Sequence, residues 1–572
     1  MRRKNSSRAC ALLLASTMTL SLGACQKEAE SSKSDSSAKE GELEKISMYP
    51  FDANIGSGVV DGYKGEFFAK NGIELEVWAY SDEKTNAILA SGDLPDIMYV
   101  DKKNLDTMIE AGMLLNLEDY LDEMPHVQSY EPIESTLEFV RKYRSAGTGE
   151  LYALPLSVGD RAEKVTLTDS TERNAVKLNW EIYEEIGAPK INTVDDLIDV
   201  MEQMVKAHPT DENGNPYYGT ILNSGSDSQY WMCMTQFFRW QGYDEKELPY
   251  LLEANMVDGT LSSILEKDSM YYKGLKWYNE VYRRGLMDPD SINNDRATQA
   301  QKVTEGYAMI PSGTLPGWAP TYLEYYIPDT NIYFNYDNKF GDDDKVIAIN
   351  ANTEHLDACL KLLDMWSDPD AYFEILSGPD GEFWVSEGED AFFTDDYFEF
   401  LKGQNGNEAG RTYSTGEDGS LWNTTFVVNT GEENKWTDGE GNHRVGRTTY
   451  WKETQELLTD TENFANWKKT TGYNSWKEWL AAEDAYTSQG PLDNIQTFCS
   501  LPDESMQLTI DAIKDIVVNA SWKMVYAESD EEFESTWEQM VADCEGLGCQ
   551  DVIDWRLADI EQAKEARDAL GN

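Results

Sequence analysis

The chain has 572 residues, of which 40% are hydrophobic and 17 are Trp, enough for two or three domains with sizeable cores. Asp and Glu number 105 against 48 Lys and Arg, and the formal net charge of −57 argues against a nucleic-acid partner and against adhesion to anionic lipid through surface charge. The seven Cys are odd in number and scattered, and none shares a ligand-like spacing with the four His, so no disulfide framework, metal site or cofactor is expected.

Residues 1–24 read as an export signal. Arg2, Arg3, Lys4 and Arg8 form a basic start, and the apolar run from Ala9 to Leu22 is too short for a comfortable membrane span. Leu22-Gly23-Ala24 is a small-residue cleavage site with Cys25 directly after it, which resembles the bacterial lipobox and implies a lipid on Cys25, a palmitate-type anchor to the outer face of the cell membrane. Residues 25–44 are Ser, Lys, Asp and Glu with almost nothing apolar, and cannot bury enough surface to offset their ordering entropy. They are expected to form a flexible tether.

From Lys45 the pattern alternates. Ile46, Met48 and Tyr49 predict a strand, Val60 to Lys70 a helix stopped by Asn71-Gly72, and Ile73, Leu75 and Val77 a second strand with Glu between. A helix from Asp82 to Ser91, a fully apolar strand Ile97 to Val100 and a helix from about Leu105 to Ala111 follow. Strand–helix repetition with short connections implies a parallel, doubly wound α/β sheet, whose ligands gather beyond the strand carboxyl ends. Those ends carry Tyr49 to Asp52, Tyr80-Ser81 and Asp101.

Several segments together resemble the extracellular solute-binding proteins of carbohydrate ABC importers, the LipO-like lipoproteins in particular, relatives of maltose-binding protein. They are "ASGDLPDIMYV" (90–100), "GMLLNLEDYLDEMP" (112–125), "ELYALPLSV" (150–158), "NWEIYEEIGAPKINTVDDLIDVMEQM" (179–204), "GLKWYNEVYRRGLMDPD" (274–290), "EGYAMIPSGTLPGW" (305–318) and "YAESDEEFESTWEQMVADCEGLG" (526–548). The resemblance implies a two-lobed, periplasmic-binding-protein-like (type II) fold, with doubly wound sheets joined by a hinge. Lobe one is expected over 45–156 and about 340–376, and lobe two over 157–339 and about 377–572, with an elaborated insertion at about 385–496. Crossings are expected near Pro155, Pro311 and Ile349. The implied partners are an oligosaccharide and ABC permease subunits, met by a monomer that performs no chemistry.

A saccharide offers apolar CH faces and hydroxyl rims, so its site needs flat aromatic rings with polar side chains beside them. By position in the resemblance, Tyr230, Trp231 and Trp318 match aromatic-bearing segments. Asp101 begins the segment of a sugar-bonding carboxylate that falls a few residues later in the family, where this chain has Lys102 and Lys103. Tyr49, Asp52 and Tyr80 are nominated by the strand ends, and Trp384 and Trp422 by aromatic-in-loop context, where a core role is the alternative. For Asp101 the alternative is a helix N-cap ahead of Asn104. Trp366, Trp522, Trp537 and Trp555 fall in helical stripes and read as packing. Thr210 to Gly219 spaces Asp211, Asn213 and Asn215 like the start of a calcium loop, and related proteins sometimes bind calcium near this place. The Gly and the later Glu of such a loop are missing here, so a turn is expected.

No nucleophile, P-loop or zinc-hydrolase signature is present. The alternatives are a surface-attached glycoside hydrolase, since so many carboxylates can always supply a pair, or a binding protein for a non-sugar ligand such as a peptide. An acidic ligand would need a local basic patch, for which Arg141, Lys142 and Arg144 are the candidate.

Overall fold

The computed structural model describes residues 43–50, 57–129, 133–156, 158, 175–224, 232–311, 321–328, 330–333, 339–342, 344–387, 390–406, 408, 410–416, 448 and 451–570. In the first body, β1 (Glu44–Tyr49), β2 (Gly58–Val59), α1 (Gly62–Lys70), β3 (Ile73–Val77), α2 (Asp82–Ser91), β4 (Ile97–Asp101) and α3 (Lys102–Glu110) alternate in the expected order. Helix α1 starts two residues later than the apolar pattern predicts, because Val59 is spent pairing with Glu76 at the sheet edge. It stops at Gly72, whose φ of 80° favours glycine. Helix α3 starts three residues early, since Asp101 accepts the Asn104 amide at 2.9 Å and caps the turn.

The sheet has six strands, ordered β2, β3, β1, β4, Lys345–Ile349 and β5 (Leu154–Pro155). Only β3, β1 and β4 run parallel to one another in the manner the sequence predicts. Strand Lys345–Ile349 runs antiparallel to both β4 and β5, with Lys345 opposite Asp101. The reason is its route: the chain comes back at the strand carboxyl ends and has to run down the sheet. Ile46, Met48, Ile97, Ile347 and Ile349 are fully buried between helical layers on the two faces.

A second body carries its own sheet. Strand Tyr322–Tyr325 pairs antiparallel with Val176–Asn179, and Asn179 N donates to Met309 O at 2.8 Å. Met309 N and Ile310 N donate in turn to Tyr218 O and Gly219 O, and Thr220 N to Leu286 O at 3.1 Å. Helices Asp196–Ala207, Met270–Arg283, Glu504–Val525 and Asp530–Gly546 pack around it into one cluster that holds Trp180, Trp277, Trp467, Trp522 and Trp537. Each helix start is chemically marked: Thr193 Oγ1 accepts the Asp196 amide while Asp196 accepts those of Asn192 and Thr193, and Ser529 caps Glu532.

The chain leaves the first body at Pro155 and returns through Phe340–Asp342, where Asp342 N donates to Leu156 O at 2.8 Å. Near Pro311, where a further crossing was expected, Met309 and Ile310 are hydrogen-bonded to Tyr218 and Gly219 within the second body. The two crossing segments touch at Gly341, with φ of 82°, where an added Cβ would lie 2.8 Å from Pro155 Cβ and 2.9 Å from Leu156 O. Only a glycine fits between them.

Phe383, Trp384, Tyr397, Tyr413 and Trp451 form a separate aromatic core, seated on Phe373 and on Tyr63 of α1. Tyr63 stacks on Tyr413 at 3.9 Å and donates to Ile375 O at 2.8 Å. Cys359, Cys499, Cys544 and Cys549 are buried free thiols. Among the described residues, no helix is long and apolar enough to cross a membrane.

Candidate functional site

The carboxyl ends of β1, β3 and β4 bring aromatic and acidic side chains to one edge of the first sheet. Trp78 extends the ladder beyond β3, its amide donating to Met48 O at 2.8 Å. Tyr80 follows two residues later on the same face, so both rings stand partly exposed against the cluster that holds Leu94, Met98 and Met108. The Tyr80 hydroxyl donates to Asp82 Oδ1 at 2.5 Å, and burial together with that carboxylate raises its pKa, with Tyr49 and Asp101 close enough to add to the effect. Ser81 caps α2 through the Lys84 amide, and Lys84 Nζ lies 4.7 Å from the Trp78 ring centroid. A half-exposed indole and phenol beside Asp82 and Asp101 are the parts a saccharide face and its hydroxyls require.

Tyr80 and Asp101 of the sequence candidates therefore come together, Asp101 with its Oδ1 already engaged as the α3 cap. Tyr49 does not join them. Its side chain is fully buried, tilted against Tyr80 at 5.9 Å, and its hydroxyl donates to Ser81 O and meets Thr85 Oγ1 at 2.8 Å. On a central strand covered on both faces, the last side chain still points into packing, and Tyr49 orients Tyr80 from beneath. Trp384 also leaves the candidate set: it is buried, donates Nε1 to Gly378 O at 2.8 Å and meets Phe373 edge-on at 4.7 Å. Asp52, Tyr230, Trp231, Trp318, Trp422 and Cys25 lie outside the described residues. Trp78 was missed by sequence reading, although its spacing of two from Tyr80 put it on the same face of the strand end.

In the second body, the bridged segment through Tyr218 and Thr220 leads into buried amides. Asn294 Nδ2 donates to Leu222 O at 3.1 Å and to Asp288 Oδ2 at 3.0 Å, and Lys302 Nζ donates to the same carboxylate at 2.7 Å. Gln299 Nε2 donates to Ile221 O at 2.8 Å, and its Oε1 accepts from Asn223. These hydrogen bonds hold one another in place and stiffen the segment from which the chain runs on towards Tyr230 and Trp231.

The Thr210–Gly219 segment is a turn. Asp211 Oδ1 accepts the Asn213 and Asn215 amides at 2.8 Å, and Oδ2 accepts Asn215 Nδ2 and the Tyr307 hydroxyl. These donors hold the Asp211 carboxyl at about 2, against the opposing effect of its desolvation. Among the described residues, no three His, Cys, Asp or Glu side chains cluster as metal ligands would. Arg141 of the candidate basic patch is bound by Glu118, through Nε at 2.6 Å and Nη2 at 3.0 Å.

Two cored bodies, two touching crossings at Gly341 and a strand-end aromatic edge decide the architecture. This is the fold of the two-lobed solute-binding proteins. The chain superimposes on the HMO-binding, ABC-transporter-associated solute-binding protein of Bifidobacterium longum infantis with a TM-score of 0.57 at 15% identity, covering 91% of this chain and 99% of that one. Against the Streptococcus pneumoniae ABC-transporter substrate-binding protein FusA in complex with kestose, the TM-score is 0.59 at 14% identity, over 91% of this chain and 100% of that one. For the N-glycan transport solute-binding protein NgtS of Streptococcus pneumoniae the values are 0.53 and 13%, over 91% and 99%. No protein-family model and no curated sequence matches the chain. A solute-binding fold at this identity establishes the two-lobed architecture and nothing narrower.

Proposed function

We propose that the protein captures an oligosaccharide between its lobes and presents it to an ABC importer, tethered outside the cell membrane by a lipid on Cys25. The observation that carries this reading is the Trp78–Tyr80 edge. Two rings and two carboxylates stand at the carboxyl ends of the first sheet, on a body joined to the second by the close crossings at Gly341. The likeness in fold to a substrate-binding protein seen in complex with kestose and to an N-glycan transport solute-binding protein points the same way. The lobes that close are 45–156 with about 340–376, and 157–339 with about 377–572, except that the aromatic core of Phe383, Trp384, Tyr397 and Tyr413 is carried by the first, on Tyr63 and Phe373. Tyr80, Asp101 and Trp78 serve one wall, and Tyr230, Trp231 and Trp318 the other. A ligand that contacts both walls favours the closed arrangement by its differential affinity, without any bond being made or broken.

A calorimetric screen of neutral oligosaccharides against the purified chain tests the reading. Binding with a raised Tm, a smaller radius of gyration and no change in the sugar supports it. Hydrolysis of the sugar would instead favour the glycoside hydrolase, and binding of peptides alone would favour a peptide carrier.

A further inference from the structure

Phe498 packs against two hydrophobic clusters at once, one in each body. The second body holds the segment that carries it. Arg567 Nη1 donates to the carbonyls of Pro491 and Asp493 at 3.0 and 2.8 Å, Arg556 Nη2 to Gln496 Oε1 at 2.8 Å, and Ser500 N to Asp559 at 3.0 Å. The ring itself is handed to the first body. It meets Phe139 at 4.9 Å, Tyr143 at 5.4 Å and Phe340 at 4.9 Å, with interplanar angles of 67°, 75° and 83°. Phe340 is the neighbour of Gly341, so this socket sits at the crossing itself.

The character of these contacts matters. Edge-on ring contacts tolerate rotation, whereas hydrogen bonds between rigid groups fix an angle. Two hydrogen bonds that reach the segment from the first body come from long side chains able to follow a moving acceptor: Arg144 Nη2 to Thr497 O at 2.7 Å, and Lys102 Nζ to Cys499 O. Beside the segment lies a cavity of about 340 Å³, bordered by Ile495, Gln496, Tyr333, Asp342 and Ile560. It leaves room for the segment to shift where the rest of the core is close-packed.

We propose that Phe498 is the pivot of the inter-lobe hinge, a ring fixed to one lobe and seated edge-on in an aromatic socket of the other, which keeps the lobes in register as they turn. The proposal rests on the reading that the lobes move, and its test needs no sugar. In the full chain without ligand, nitroxides placed by Glu110→Cys and Lys206→Cys, both exposed and one in each lobe, report the inter-lobe distance distribution. Phe498→Ala should widen that distribution roughly twofold while Tm falls only slightly, because a half-buried ring at a moving joint guides more than it stabilises. Phe498→Leu, which refills the socket, should recover most of the original width. An unchanged width in both variants, with or without a lower Tm, would make Phe498 an ordinary packing residue and overturn the proposal. A failed oligosaccharide screen leaves this measurement intact, so the two ideas fall separately.

Discussion

Arg556 donates from Nε and Nη2 to the two carboxylate oxygens of Glu247, at 2.7 and 2.8 Å, across 309 positions of sequence. Both side chains are almost wholly buried, at 1% and 2% exposure, and Nη1 reaches Asp559 at 2.9 Å while the guanidinium covers the Tyr250 ring at 4.3 Å. This pair ties the last helix, Cys549–Ala569, to the turn before strand Leu252–Asn255. Arg556→Met strands two carboxylates away from water and should cost about 3–5 kcal/mol. Arg556→Met combined with Glu247→Met removes one of those charges and should cost less than the single change. Urea denaturation midpoints of the three proteins decide this.

Lys102 contributes a pH dependence. Burial, and then the positive charge of Arg144, push its ammonium down to about 8 from 10.5, with Arg556 adding repulsion and the Cys499 and Asp559 groups opposing it. The folded value lies below the unfolded one, so between about pH 8 and pH 10.5 the unfolded chain binds more protons and stability rises with pH, by up to about 1.4 kcal/mol per unit. Below that window both states hold the proton and the slope vanishes. Lys102→Met should remove this component, seen as a change in the stability difference from wild type between about pH 7.5 and pH 10.

Trp78 and Tyr80 should separate from Trp384 in their effects. Trp78→Ala and Tyr80→Ala take half-exposed rings from the proposed ligand wall, and should each weaken oligosaccharide binding by about tenfold or more, with little change in Tm. Trp384→Ala empties a buried aromatic core and should cost about 3–5 kcal/mol without altering affinity in the folded fraction. Calorimetric titration paired with thermal unfolding of the same samples distinguishes the two patterns.

Gly341→Ala presses a methyl group onto Leu156 O and Pro155 in a backbone region that favours glycine. We expect a loss of about 1–3 kcal/mol in thermal unfolding. A shifted inter-lobe distance in the spin-label pair is also expected, because the crossings must part to make room.

Much of the first lobe was legible because its signals are local. Alternation in Ile73–Val77 and the Asn71-Gly72 stop each act within a few residues, and the structure places those elements accordingly. Candidate residues were harder to read. Tyr49 and Tyr80 look alike in sequence, each an aromatic at a strand end, yet one is sealed between layers and the other stands at the rim. Which of two such rings meets solvent depends on the neighbours above it, and those come from α2 and from the strand that returns at Lys345.

By itself the sequence determined the alternation of strands and helices, the helix caps and the aromatic and acidic residue types available at the strand ends, since these follow from side-chain chemistry over short spans. Only the tertiary structure decided that the crossings touch at Gly341, that Trp384 and Tyr413 settle in a core with Tyr63, that Arg556 finds Glu247 and that Phe498 bridges both lobes. Those relationships join positions tens to hundreds of residues apart. They are selected by which surfaces pack without voids or unpaired charges, and no local pattern encodes that choice.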